Sequence, residues 1–295
     1  MRIGTRGSAL ALAQAGTVAA LFGADAELVP IATTGDRATA ARDVADKERW
    51  VKELELALLA GEIDLAVHSA KDVPSVLPDG LELVGAPPRG EPFDALVGAP
   101  ALSRLAPGAR VGTASLRRAS QLLALREDLD VAVVRGNVDT RLRKLEAGEF
   151  DALVLAAAGL VRLGRGDAIG CVLSEMVPAP GQGTLVLEAR TGDEGAAAAV
   201  RAIADRATWD ALRAERALVR RLDASCNTPL GAHATVGAGG IVLRTFAGLP
   251  DGSSWLRDET PAAATPDEAA ALAAERMLGA GAGELLARAE ELATS

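Results

Sequence analysis

The chain has 295 residues, of which 49% are hydrophobic and 24% charged, which is typical of a globular protein and excludes disordered, collagen-like and disulfide-scaffold classes. Aromatic residues make up only 2%, which nearly excludes stacking platforms for single-stranded nucleic acid, and a net charge of −9 disfavours coating of DNA or of a membrane. Two His and two Cys residues are too few for a structural zinc site, and isolated cysteines of this kind are typical of reduced cytosolic thiols.

In the first third of the chain, short apolar runs alternate with helical patterns. Strands are predicted at 2–5, 27–32, 64–68 and 81–85, and helices at 8–22 and 48–60. Strands separated by helices predict a parallel sheet with helices on its faces. The uncharged run 7–24 also has the outline of a secretory signal, and a helix capped by Ser8 fits the same residues equally well.

A Pro/Gly-rich segment, 86–92, breaks this pattern, and a second strand–helix series follows it. Its strands are predicted at 95–98, 110–112, 131–134 and 152–155, and its helices at 115–126, at 138–147 and in a short stretch to 163. A second break at 177–183 leads into an apolar strand at 184–189. Two α/β series joined by two such crossings predict paired lobes with a ligand cleft.

The last third of the chain has a different pattern. Ala-rich helices are predicted at 196–204 and 209–222, a β-meander at 232–236, 241–247 and 254–257, and a long helix with a Gly-rich interruption at 266–292. This pattern predicts a separate small α+β domain.

Polar residues that could carry chemistry are concentrated where predicted strands end. The segment 68–74 contains a His, a Ser, a Lys and an Asp directly after a strand, where α/β proteins usually bind ligands. The alternative is a polar turn ended by Pro74.

Arginines with Ser or Thr hydroxyls recur at three predicted strand–helix junctions, 4–8, 113–118 and 135–141. Free N–H groups at a helix N-terminus, together with Arg side chains, favour anion binding. The alternative is a solvated helix face with ion pairs, which suits Arg143 and Lys144 better. Cys226 lies in a loop of small residues, where it is either an exposed thiol or a buried small hydrophobe.

Nine segments match a known pattern in order and spacing over essentially the whole chain: 5–11, 33–36, 51–55, 67–74, 112–118, 135–142, 157–160, 180–183, and Cys226 followed by Pro229 and Gly231. In these segments the chain resembles the porphobilinogen deaminase (hydroxymethylbilane synthase) family of tetrapyrrole biosynthesis. The resemblance favours the helix, not the secretory signal, at the N-terminus. The segment 43–50 lacks glycines that are usual in the family, and Ala224-Ser225 stands where Gly-Gly is usual.

The resemblance implies a fold of two periplasmic-binding-protein-like α/β lobes plus a smaller C-terminal α+β domain. The implied boundaries are 1–88 with 184–203 for domain 1, 92–178 for domain 2 and 206–295 for domain 3.

The same resemblance implies a cytoplasmic, monomeric transferase. It would condense four porphobilinogen molecules head to tail into hydroxymethylbilane with release of ammonia, and hydrolysis would free the product. Elongation would start from a dipyrromethane cofactor held by a thioether to Cys226. Porphobilinogen and the growing polypyrrole chain are the implied partners, with no nucleic acid, membrane or metal.

Residue-by-residue matching implies that Asp72 is the catalytic carboxylate. The other residues implied to hold the cofactor are Arg6, Ser8, Lys71, Thr113, Ser115, Arg117, Arg118, Arg135, Asn137, Arg141 and Gln182. Those implied to hold substrate are Arg6, Ser8, Arg135, Arg141 and Arg162. Each pyrrole unit carries an acetate and a propionate, so always-charged, bidentate Arg side chains suit this ligand.

Two other functions remain open from the sequence. A non-catalytic anion-binding module would keep the Arg clusters without needing Asp72 or Cys226. A cysteine hydrolase would use Cys226 with His233, but the sequence next to His233 offers no carboxylate to orient it. A covalent mass excess of two pyrrole units would exclude both alternatives.

Overall fold

The computed structural model describes residues 1–32, 48–224 and 228–294. Its strands are β1 (Arg2–Arg6), β2 (Glu27–Ile31), β3 (Leu65–Ser69), β4 (Leu81–Gly85), β5 (Asp94–Val97), β6 (Arg110–Gly112), β7 (Asp130–Ala132), β8 (Ala152–Ala156), β9 (Ile169–Leu173), β10 (Leu185–Arg190), β11 (Leu230–Gly237), β12 (Gly240–Gly248) and β13 (Trp255–Glu259). Its α-helices are α1 (Ala9–Phe22), α2 (Glu48–Leu59), α3 (Leu116–Leu125), α4 (Val138–Glu146), α5 (Ala157–Arg162), α6 (Glu194–Ile203), α7 (Arg206–Arg221), α8 (Pro266–Gly279) and α9 (Ala282–Thr294). Among the helices described, none combines the length and the apolar character that a bilayer span requires.

The chain divides into two compact units, and the first comprises Met1–Gly90 and Gly183–Leu212. Its sheet has the order β2-β1-β3-β10-β4. Side chains along β3 point alternately to the two faces of this sheet, and both faces are buried. Leu65 and Val67 pack in a core with residues of α1 and α6, whereas Ala66 between them packs with residues of α2.

The second unit comprises Glu91–Gln182 and Arg213–Ser295. Its larger sheet has the order β7-β6-β8-β5-β9. Along β8, Val154 packs with Leu122 of α3, whereas Leu153 and Leu155 pack with Leu160 of α5. The sheet is therefore covered on both faces, as its continuous apolar strands require.

The C-terminal part of the second unit contains the antiparallel sheet β11-β12-β13, on which α8 packs. Helix α8 begins at Thr265, whose side chain accepts a hydrogen bond from the Glu268 N–H, while the Glu268 side chain accepts one from the Thr265 N–H. This reciprocal pair satisfies N–H groups that the helix leaves free and fixes its start.

The predicted fold class is confirmed: two α/β lobes and a smaller C-terminal α+β domain with a three-stranded sheet. The parallel sheet expected for the first lobe is found in β2-β1-β3, but β10 runs antiparallel to β3 and β4. In the second lobe, β5 runs antiparallel to β8 and β9. Neither β5 nor β10 follows a helix that returns from a neighbouring strand, so the crossover rule that makes strands parallel does not apply to them. The three-domain boundaries stay a prediction.

Candidate functional site

In the first unit, Asp72 lies on a short 3₁₀ turn, Ala70–Asp72, that directly follows β3. The charged residues of this turn are Lys71 and Asp72. The residues on either side of them, Ala70 and Val73, anchor the turn because they are buried in an apolar cluster with Val186. The Ala70 N–H also donates to the Thr184 carbonyl at 3.0 Å. Burial of Ala70 and Val73 leaves Lys71 and Asp72 half-buried, at the surface of the unit.

Arg6 and Ser8 share this end of the sheet with Asp72. Strand β1 is parallel to β3, with Ile3 opposite Leu65, so the carboxyl ends of both strands lie at one edge. Arg6 is the last residue of β1, and Ser8 caps α1 by accepting the Ala11 N–H at 3.3 Å. The structure therefore brings these two predicted residues to the edge that bears the Asp72 turn.

His68 is buried in β3 and is not part of the turn that bears Asp72. Its Nε2 lies 2.8 Å from Oε2 of Glu188 on β10, and the two side chains are 4% and 0% exposed. This buried pair bonds the strand before Asp72 to its antiparallel neighbour, as expected of a structural partner. Sequence reasoning missed Glu188, and the charged residue inside the apolar run 184–189 was the available signal.

In the second unit, three strand–helix junctions lie at one edge of the larger sheet. Strand β6 is parallel to both β7 and β8, so the carboxyl ends of the three strands meet there. At the first junction the Ser115 side chain accepts the Arg118 N–H, and the Thr113 side chain accepts the Ser115 N–H at 3.2 Å. At the second junction Asn137 caps α4 by accepting the Thr140 N–H at 2.9 Å. Thr113, Ser115 and Asn137 therefore hold the loops whose arginines were predicted to bind anions.

Arg117 and Arg118 of α3 are both buried against one carboxylate, that of Asp94 at the start of β5. Arg117 Nη2 donates to Oδ2 at 2.8 Å, and Arg118 Nε donates to Oδ1 at 2.9 Å. The side chain of Gln182 donates to the same Oδ1 at 2.9 Å. Burial by itself would raise the pKa of Asp94, but the two guanidinium groups hold it far below its usual range, so Asp94 is ionised.

Three further predicted arginines of the second unit have a different environment. Arg135 is exposed, whereas Arg141 and Arg162 are half-buried. Within the described part of the chain, the side chain of Arg141 makes one hydrogen bond, from Nε to the Gly136 carbonyl at 2.8 Å. Burial lowers the pKa of Arg141, and the positive charge of Arg118 lowers it further. Burial also lowers the pKa of Arg162. This edge therefore gathers more positive than negative charge.

Asp94 and Gln121 belong to this arrangement and were missed by sequence reasoning. Gln121 Oε1 accepts the Val177 N–H at 2.7 Å, and its Nε2 donates to the Val177 carbonyl at 3.0 Å. An acidic residue at the head of the apolar run 94–97 was the signal for Asp94. Gln121 had no comparable signal in a polar helix. Cys226, the predicted anchor, lies outside the described residues.

Comparison with known proteins gives consistent matches along the chain. A family model described as porphobilinogen deaminase, dipyromethane cofactor binding domain, matches residues 1–198, and one described as the porphobilinogen deaminase C-terminal domain matches 209–279. A porphobilinogen deaminase of Syntrophotalea carbinolica is 46% identical, covering 97% of this chain and 95% of the relative. One of Deinococcus radiodurans is 43% identical, covering 98% of each. A solved periplasmic substrate-binding protein of Coxiella burnetii is 14% identical with a TM-score of 0.42, covering 70% of this chain and 93% of that protein.

Proposed function

This chain belongs to the porphobilinogen deaminase family, and we propose that residues of each unit take part in that activity. They are the Arg6–Ser8 and Lys71–Asp72 segments of the first unit and the arginines of the second. The enzyme condenses porphobilinogen head to tail into a linear tetrapyrrole and uses a dipyrromethane cofactor. The observation that carries the site assignment is that two strand–helix junctions rich in Arg and hydroxyl side chains, 113–118 and 135–141, lie at one sheet edge of the second unit. The junction that leads to Arg162 lies at the same edge.

The hydrogen-bond donors of the second unit suit the carboxylates of a dipyrromethane. Two linked pyrroles carry two acetates and two propionates, so the group needs several cationic, bidentate donors. Arg118 shares the single charge of Asp94 with Arg117, and the positive charge of Arg118 also acts on Arg141. Half-buried guanidinium groups beside helix N-termini bind carboxylates well, because surrounding protein reduces the screening by water.

We assign the residues that would hold the cofactor accordingly. Its carboxylates would contact Arg118, Arg135 and Arg141, the free N–H groups at the starts of α3 and α4, and Lys71 of the first unit. Cys226 would bind it covalently through its sulfur, and the bound group supplies the pyrrole carbon to which substrate is joined. The acetate and propionate of the incoming porphobilinogen would be held by Arg6, Ser8, Arg162 and, in addition to their contacts with the cofactor, Arg135 and Arg141.

Asp72 would act on the substrate itself. Loss of ammonia from porphobilinogen leaves a cationic methylene-pyrrolenine, and a carboxylate beside the pyrrole N–H stabilises that cation. The same carboxylate can carry a proton to the leaving amine and remove the α-proton afterwards. Its position on a turn anchored by buried Ala70 and Val73 would keep it in place during these steps.

The test of this role is an Asp72→Asn variant, which keeps the shape of the side chain and removes its charge. We expect a folded protein whose single-turnover ammonia release, measured with preassembled cofactor, is slower by at least roughly 10²-fold. Asp72→Glu should retain part of the activity. Asp79→Asn, an exposed aspartate of the same unit, is the matched control and should release ammonia at the wild-type rate. Near-normal release by Asp72→Asn would exclude Asp72 from the chemistry.

A net charge of −9 and an aromatic content of only 2% disfavour nucleic acid, and they support porphobilinogen and the growing polypyrrole chain as partners. We further propose that the enzyme works as a monomer in the cytoplasm. Sedimentation of the purified protein at working concentration tests the monomer, and a dimer would contradict it.

A further inference from the structure

Asp94 is a buried carboxylate that has no part in the chemistry assigned above. It is 1% exposed, and three side chains of the second unit donate hydrogen bonds to it, those of Arg117, Arg118 and Gln182. Gln182 also donates to the Pro92 carbonyl at 2.8 Å, which ties the strand that begins at Asp94 to the second crossing segment. Removing one member of such a buried network leaves the others uncompensated.

The two arginines bonded to Asp94 have different second partners. Arg117 Nη1 donates to the Val177 carbonyl at 2.7 Å, which Gln121 also binds, so Arg117 ties α3 to the segment at Val177. Arg118 Nη1 donates to the Val154 carbonyl at 3.1 Å, and the charge of Arg118 acts on Arg141. Arg118 is therefore the member of the pair that lies next to the uncompensated arginine.

We propose that Asp94 is a positioning residue of the anion site, which fixes Arg118 beside Arg141 before any ligand binds and cancels one of the two buried positive charges. The inference rests on the proposed function, because the positive charge that Asp94 does not cancel would bind the carboxylates of a pyrrole ligand. Without Asp94 the two buried guanidinium groups repel each other, and Arg118 loses the acceptor of its Nε. Arg118 and its neighbour Arg141 would then be displaced, which weakens binding of the porphobilinogen carboxylates and leaves the proton transfers unchanged.

The test compares two variants in sodium chloride and in sodium formate at equal ionic strength. Asp94→Ala removes the carboxylate and leaves space for a formate ion. In chloride we expect its Tm to fall by about 10 °C. Its KM for porphobilinogen should rise at least roughly 10-fold while kcat of the folded enzyme stays within about 3-fold. Formate should restore both Tm and KM. Asp94→Asn fills the space, so its lowered Tm and raised KM should not respond to formate.

Asp258→Ala is the matched control, since it removes the carboxylate of an Arg–Asp pair that lies outside the site. Arg276 Nη2 lies 2.6 Å from Asp258 Oδ1, and the two side chains are 45% and 20% exposed. This variant should keep the wild-type KM in both salts. A raised KM here would mean that loss of stability alone weakens substrate binding, and it would overturn the proposal.

Other outcomes separate this proposal from the proposed function. A wild-type KM of Asp94→Ala in chloride, or an equal formate response of both Asp94 variants, overturns the positioning role. If Asp94→Ala does not fold, Asp94→Asn decides, and an unchanged KM in that variant overturns the role. The formate-dependent Tm needs no cofactor, so wild-type protein without covalent pyrroles would contradict the proposed function while the Tm still tests Asp94.

Discussion

Arg117 and Arg118 are buried and share the carboxylate of Asp94. Arg135 is exposed, and half-buried Arg141 donates from Nε to the Gly136 carbonyl. From the sequence, all four arginines were predicted to bind anions, because each follows a predicted strand. The distinction depends on Asp94, which is more than 20 residues from the pair along the chain and bonds it only after β5 enters the sheet. Long-range pairing of this kind has no local sequence signal.

The different environments predict different effects of removing an arginine. Arg141→Ala should weaken binding of porphobilinogen by about 2 kcal/mol or more, which is roughly a 30-fold rise in KM, because a charge-assisted contact in a half-buried site is lost. Arg143→Ala, on the exposed side of the same helix, should behave like wild type. Its side chain donates to the Thr140 hydroxyl at 3.2 Å and has no assigned ligand. Equal effects at both positions would show that general charge controls binding.

At the scale of single elements, periodicity predicted nearly all strands and helices, and most boundaries moved by one to three residues. Strand β9 was missed, because its five residues contain Gly170 and lie at the sheet edge, where burial is one-sided. A side chain at Gly170 would collide with the Ala99 carbonyl, so the glycine that weakens the sequence signal is required by close strand approach. Strand direction was not predictable from apolar runs, which look alike in either orientation.

Asn137 caps α4, and it lies at the helix start that we assign to the anion site. Asn137→Ala removes the cap of α4 and should lower the free energy of unfolding by about 1 kcal/mol. Asn137→Asp keeps an acceptor for the Thr140 N–H and should unfold at the wild-type urea concentration. Its added negative charge should nevertheless raise KM for porphobilinogen. Arg135 lies on the loop before residue 137 and Arg141 lies in α4, so the new carboxylate would compete with substrate carboxylates for these arginines. If Asn137→Asp leaves KM unchanged, the start of α4 is not part of the anion site.

At the scale of the whole molecule, a chain of net charge −9 concentrates arginines at the sheet edge where the second unit's strands end. Composition and patterning were sufficient to predict two α/β lobes and a C-terminal α+β domain, since each lobe repeats strong strand–helix alternation. The proposed catalytic role of Asp72 and the proposed anchoring role of Cys226 could not be derived in this way. Only the family to which the chain belongs distinguishes Asp72 from an ordinary turn residue. The same holds for Cys226, which the sequence alone leaves as an exposed thiol or a buried small hydrophobe.

The intact mass of the purified protein tests the central claim most directly. Wild type and Cys171→Ser should carry a covalent excess of two pyrrole units, and Cys226→Ser should carry none, because a thiolate is a far better nucleophile than a hydroxyl. Burial, followed by the nearby charge of Glu175, raises the pKa of Cys171 and so disfavours its thiolate form. A wild-type mass that equals the sequence mass, or a two-pyrrole excess that persists in Cys226→Ser, would contradict the account.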